Sequence, residues 1–176
     1  MVEYFDVLDD SGNLTGEAKP RDEVHANGLW HKAVHVWIVN DKDEILLQKR
    51  ASCKESFPDM WDISAAGHLS AGDDTITGAI REIEEELGFL ITAEELQYIG
   101  SQKVTQFVKE GFINNEFNDI FVLRRSLDLS KLVLQEEEVN EVKYIPLSTL
   151  KEMVANRDET LLMHDEGYKI LFKALG

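Results

Sequence analysis

This sequence is poor in the features that would place it in a membrane, in an oxidising compartment or on a nucleic acid. Its single cysteine, Cys53, excludes an intrachain disulfide and a cysteine-rich zinc site, and reads as a bystander thiol. No apolar run approaches the roughly 18 residues that a helix needs to cross a bilayer. The first residues, MVEYFDVLDD, lack the basic segment and following apolar run of a secretory leader, so a cytoplasmic protein with no membrane partner is expected. Basic residues are scarce: 18 Lys and Arg stand against 34 Asp and Glu, a net charge of −16. Non-specific binding to nucleic acid depends on neutralising phosphates, so a nucleic acid polymer is not an expected partner. An anionic small molecule would need metal ions and a local cluster of Lys and Arg. There is no internal repeat and no low-complexity segment, and 176 residues suit one domain with its own core.

What the chain has instead is a crowded acidic stretch, Gly67 to Phe89. Asp73 and Asp74 are good N-cap residues, Thr75 to Leu87 reads as a helix, and Gly88 is a natural terminator. Ile76, Ala79, Ile80, Ile83 and Leu87 recur at spacings of three and four, which turns one face towards a core. The opposite face is acidic: Glu82 and Glu86 are four apart and Glu82 and Glu85 three apart, with Arg81 one turn below Glu85. At about 6 Å and an effective dielectric near 20, each unscreened pair of like charges costs roughly 3 kcal/mol. A divalent cation reverses the sign of that interaction, and hard cations such as Mg²⁺ favour oxygen ligands beside a bent loop.

Around this helix the chain reads as strands. Residues 4–8 and 14–18 flank a turn at Asp9–Asn13 and predict a hairpin. A short helix follows over Arg21–Ala26, opened by Pro20. Trp30–Val39 and Glu44–Lys49 are rich in Val and Ile and predict strands. Residues 51–62 show no period and predict a loop. Leu96–Thr105 and Glu116–Leu123 predict strands joined through Lys109-Glu110-Gly111, with a short strand at Val142–Ile145. Helices are expected over Ser148–Val154 and Thr160–Leu175. Strands interrupted by one central helix and finished by terminal helices argue a mixed sheet between helical layers, an α/β fold.

The stretch from Gly67 resembles the signature of the Nudix (MutT-like) hydrolase family, Gly-x5-Glu-x7-Arg-Glu-U-x-Glu-Glu-x-Gly-U, where U is a bulky aliphatic residue. Gly67, Arg81, Glu82, Ile83, Glu85, Glu86 and Gly88 fall in register, Phe89 takes the last position with an aromatic, and Asp73 replaces the first Glu. The resemblance implies a single Nudix α/β/α sandwich over residues 1–176. It also implies that Glu82, Glu85 and Glu86 hold Mg²⁺ or Mn²⁺ with the backbone carbonyl of Ala66, while Arg81 orients a neighbouring carboxylate. A further acid outside the box, Glu116 or Glu137, would complete the site or act as base. Lys49 and Arg50 follow a strand and are candidates for the substrate's phosphates, as His68 and Trp61 are for substrate binding. Many relatives dimerise, which makes a homodimer an expectation here.

The likeness extends outside the box. VHANGLWHKAVHVWIVN, EILLQKR and PDMWDISAAGH look like the Nudix subgroup related to isopentenyl-diphosphate isomerase. His25, His31 and His68 resemble that enzyme's metal histidines, although the first gap is one residue shorter. The isomerases carry a cysteine where Ala66 stands, and two acidic ligands around Asn114-Asn115-Glu116, of which Glu116 remains. Otherwise His25, His31 and His35 read as ordinary surface or hydrogen-bonded histidines. An alkene proton shuttle needs an acid and a base on opposite sides of the substrate. The sequence therefore favours hydrolysis of a small diphosphate over isomerisation, and its intact carboxylate set argues against a non-catalytic binding module.

Overall fold

A computed structural model describes residues 1–176. Nine strands, β1 (Tyr4–Leu8), β2 (Leu14–Pro20), β3 (Trp30–Val39), β4 (Glu44–Arg50), β5 (Trp61–Asp62), β6 (Ala65–His68), β7 (Leu96–Lys109), β8 (Phe112–Arg124) and β9 (Val139–Pro146), form one mixed sheet. Four helices accompany them: α1 (Arg21–Ala26), α2 (Thr75–Leu87), α3 (Leu147–Ala155) and α4 (Asp165–Leu175). β3 and β8 run parallel over ten paired residues from Trp30↔Asn115 to Val39↔Arg124, and every other pairing between these strands is antiparallel. No helix is long and apolar enough to cross a membrane.

Alternation along the strands divides the core in two. On one face Val34, Val36 and Ile38 of β3, Leu46 of β4 and Phe121 and Leu123 of β8 pack against Ala79, Ile83 and Leu87 of α2. On the other, Trp37 and Val39, Ile45 and Leu47, and Ile120 and Val122 pack against Leu150 of α3 and Tyr168 and Leu171 of α4. Successive strand residues point to opposite faces, so a strand covered on both sides is apolar at nearly every position. Each fully buried aliphatic side chain contributes about 1.5–3 kcal/mol.

The central helix forms as its sequence predicts: the Asp74 carboxylate accepts the Thr77 N–H, and Gly88 ends the helix at φ 73°. Elsewhere long-range pairing shifts the predicted bounds. The hairpin strands reach Lys109 and start again at Phe112, leaving Glu110-Gly111 as a two-residue turn. Trp61 and Asp62, expected in a loop, pair with Lys49 and Gln48. The last helix begins at Asp165 instead of Thr160, because Leu161 lies beside Trp61 in a parallel bridge and the Leu162 N–H donates to the Trp61 carbonyl.

Candidate functional site

β3 and β4 share one paired rung, Val39 with Ile45. Beyond it the strands part: β3 takes β6 as its partner over Ala33–Val36, and β4 takes β5 and β9. The parting leaves a cleft of about 540 Å³ into which Glu82, Glu85, Glu86, Arg81, Ala66, His68, Arg50, Glu116 and Glu137 all face.

One wall is the acidic side of α2. Glu82 and Glu86 are buried, while Glu85 is half-exposed. Gln48 Nε2 and the Ala66 N–H donate to Glu86 Oε2 at 3.0 and 3.1 Å. Arg81 organises the rest: it donates to the His68 carbonyl at 3.0 Å, lies 3.3 Å from Glu82 and 4.0 Å from Glu85, and reaches Asp73 at 3.6 Å. Asp73, the acid that departs from the family signature, thus helps to hold the arginine. Burial pushes the Glu82 carboxyl up to about 7, with Arg81 opposing and Glu85 adding to the shift. Burial and then Glu82 push Glu86 well above the usual carboxylate range. Two buried, mutually repelling carboxylates with one nearby arginine form a hard-oxygen donor set that fits a divalent cation.

A second wall gathers histidines. His25 of α1, His31 of β3 and His68 of β6 bring ring nitrogens within 4.8 Å of one another. Glu116 Oε1 lies 3.0 Å from His68 Nε2 and 3.8 Å from His31 Nε2. His31 Nδ1 donates to the Leu29 carbonyl at 2.9 Å, which leaves Nε2 a lone pair. His25 and His31 are not surface residues: both are buried, and neither ring nitrogen of His25 nor Nε2 of His31 has a hydrogen-bond partner. Burial, then the neighbouring histidines, pushes His25 down to about 3 and His31 to about 4, so both are neutral near pH 7. Burial raises the Glu116 carboxyl, yet His68, His31 and His35 together hold it well below the usual range. Imidazole and carboxylate donors in this arrangement suit a transition metal.

The third wall is the segment after β4. Arg50 donates to the Ser56 and Phe57 carbonyls and, at 3.1 Å, to Asp62 Oδ2, so its guanidinium is committed to holding the loop. Asp62 is buried, and its Oδ1 meets His164 Nε2 at 2.7 Å. Lys49 and Trp61 do not border the cleft. Trp61 belongs to the core beneath α3 and α4, with Lys143 Nζ 3.8 Å and Lys49 Nζ 5.9 Å from its ring centre. Glu137 reaches the rim but is exposed, and its carbonyl accepts from Cys53 Sγ at 3.5 Å. Sequence reasoning missed Gln48, His35, Asp62 and His164, all of which border the cleft. The PDMWDIS run held Asp62 in view, whereas nothing local marked His164.

The NUDIX domain family model matches residues 29–164. Nudix hydrolase 3 of Arabidopsis thaliana is 42% identical over 172 residues, which cover 93% of this chain and 22% of that longer protein. An isopentenyl-diphosphate Delta-isomerase of Jannaschia sp. is 36% identical over 138 residues, 78% of this chain and 76% of the isomerase. The crystal structure of DR0079 from Deinococcus radiodurans shares the fold, with a TM-score of 0.74 over 97% of this chain and 98% of that one at 16% identity.

Proposed function

This chain belongs to the Nudix hydrolase family, and on that premise we propose that it is a Mg²⁺- or Mn²⁺-dependent hydrolase cleaving the diphosphate linkage of a nucleoside diphosphate derivative or another small diphosphate. The observation that carries this reading is the intact set Glu82, Glu85 and Glu86, two of them buried, closed against strand β6 at Ala66 and Gly67. These carboxylates and the Ala66 carbonyl would hold the ions, which when bound lower the pKa of water and neutralise phosphoryl charge.

The chain's own residues supply position. Arg81 pins α2 to β6 through the His68 carbonyl, and Gln48 fixes one face of Glu86. The other cations bordering the cleft are already paired: Arg50 with Asp62, Lys54 with Glu138 and Arg21 with Glu3. Little free positive charge is left for a diphosphate, so the reading has the substrate enter as its metal complex. Incubation with Mg²⁺ and a panel of nucleotides, nucleotide sugars, dinucleotides and prenyl diphosphates tests this by release of phosphate or nucleotide. Silence across the panel defeats the reading, and full activity in Glu86→Gln defeats the metal assignment.

Isomerisation of isopentenyl diphosphate is the second reading, and what favours it is the retained group His25, His31, His68 and Glu116. Ala66 and the run Asn114-Asn115-Glu116 stand against it, since they lack a thiol that resemblance assigns to alkene protonation and one of two acidic ligands. Conversion of isopentenyl diphosphate to its allylic isomer without phosphate release would reverse the preference.

A further inference from the structure

We propose that His164, oriented by Asp62, is the general base of the cleft, receiving the proton of the water that attacks the diphosphate. This rests on the hydrolase reading and adds to it a proton acceptor outside the acidic helix.

His164 sits at the N-terminal boundary of α4 and faces the same cleft as Glu82, Glu85 and Glu86. Its Nε2 lies 2.7 Å from Asp62 Oδ1. That oxygen also accepts the Ile63 N–H at 2.8 Å, while Oδ2 accepts from Arg50 at 3.1 Å. Burial raises the Asp62 carboxyl, but His164 and Arg50 hold it well below the usual range, so it is an anion that only accepts hydrogen bonds. Nε2 must therefore carry the proton. In the neutral ring the lone pair falls on Nδ1, which has no protein partner and, unlike Nδ1 of His35, is not sealed from solvent.

The pair is linked to the acidic helix through the sheet and one hydrogen bond. Asp62 faces Gln48 across the β4–β5 rung, and Gln48 donates to Glu86 at 3.0 Å. The competing acceptors have other commitments. Glu82, Glu85 and Glu86 are the proposed metal ligands, Glu116 is bonded to His68, and Glu137 is exposed at the rim.

The charges that face His164 are few. Asp62 comes from β5, with Arg50 of β4 behind it. His35 of β3 has its ring centre 5.3 Å away; burial pushes it down to about 4, so it is neutral at assay pH. On α4, the Tyr168 ring lies 6.1 Å off, and Asp165 is paired with Arg157 at 3.0 Å. Asp62 is the one charge in direct contact, and it holds the ring through Nε2.

In the step, the water oxygen bonds to phosphorus and its proton passes to His164 Nδ1. The bond from phosphorus to the bridging oxygen breaks with its electron pair left on that oxygen, giving two phosphate-ended products. The imidazolium then returns its proton to solvent.

The test compares wild-type and His164→Gln protein on a substrate the wild type hydrolyses. Expected are a fall in kcat of about 10²–10⁴-fold with KM little changed, and loss of the acidic limb of the pH profile. Added imidazole should restore part of the rate in His164→Ala, which a merely structural role for the side chain would not allow. Independently of turnover, ¹⁵N NMR of the metal-free protein should show His164 as the Nε2–H tautomer. Unchanged kcat and pH profile in His164→Gln, or a dominant Nδ1–H tautomer, overturns the proposal. A wild-type protein that hydrolyses nothing removes the hydrolase reading and the base with it, a result distinct from an active wild type with an indifferent variant.

Discussion

Glu82 fills the space that a side chain at Gly67 would need: a Cβ at Gly67 would lie 2.1 Å from Glu82 Cδ and 2.3 Å from Oε2. The glycine of the signature is required here by close approach, since no positive φ is recorded for it. Strand β6 and helix α2 thereby approach so closely that the Glu82 carboxylate occupies the place of a side chain at Gly67.

Gly67→Ala should therefore displace the Glu82 carboxylate. Misplacing a reacting group by about 1 Å costs on the order of 10²-fold in rate, and overpacking costs about 1–3 kcal/mol in stability. The expected outcome is a fall of that size in kcat/KM with weaker dependence on Mg²⁺, while far-ultraviolet circular dichroism stays native. Wild-type turnover would refute the contact.

Removing metal should make the protein sensitive to alkali. Glu82 is raised from 4.5 to about 7 by burial, so the folded state binds more protons than the unfolded one between those values and stability falls as pH rises through them. The whole window amounts to roughly 3 kcal/mol, and Glu86 extends the loss to higher pH. His25, His31 and His35 act in the opposite sense, but only below their ordinary value of 6.5. In chelator, the urea midpoint is expected to be lower at about pH 8 than at about pH 6.5, with Mg²⁺ removing the difference. Equal midpoints in chelator would show that the two carboxylates are not buried as described.

Arg50→Lys keeps the charge and loses the fork that bonds Ser56, Phe57 and Asp62 together. Asp62 is the buried acceptor among them, and leaving it unmet costs about 1–3 kcal/mol. Faster thermolysin cleavage within residues 51–60 is expected. A rise in KM without faster cleavage would restore the phosphate-binding role expected from sequence.

Trp61→Phe and Lys49→Ala should leave KM unchanged, because neither side chain borders the cleft. The first is expected to lower stability by about 0.5–3 kcal/mol, as core substitutions do. Steady-state kinetics beside thermal unfolding separates the two effects, and a KM shift above tenfold in either variant would return that residue to the substrate.

What could be read from sequence was what the chain determines locally. The span Thr75–Leu87 carries its own cap at Asp74, its terminator at Gly88 and a helical period, and Trp30–Val39 carries ten residues of strand-forming character. β5 and β6 have two and four residues, too few to show a period. The site depends still more on distance: the bond from His164 to Asp62 spans 102 positions, and the three clustered histidines come from α1, β3 and β6. Burial of His25 and His31, which the sequence left as surface or hydrogen-bonded histidines, follows from that convergence.

The single rung between Val39 and Ile45 means that the cleft's two sides hang on separate branches of the sheet. His31, His35 and Glu116 ride on the branch of β3 and β8, while Gln48, Arg50 and Asp62 ride on that of β4 and β5. A molecule held between them adds a bridge from one branch to the other. The protein's stiffness at this seam is then set by its cargo as much as by its backbone, and amide exchange along Ala33–Val36 and Leu47–Arg50 should slow together when the cleft fills.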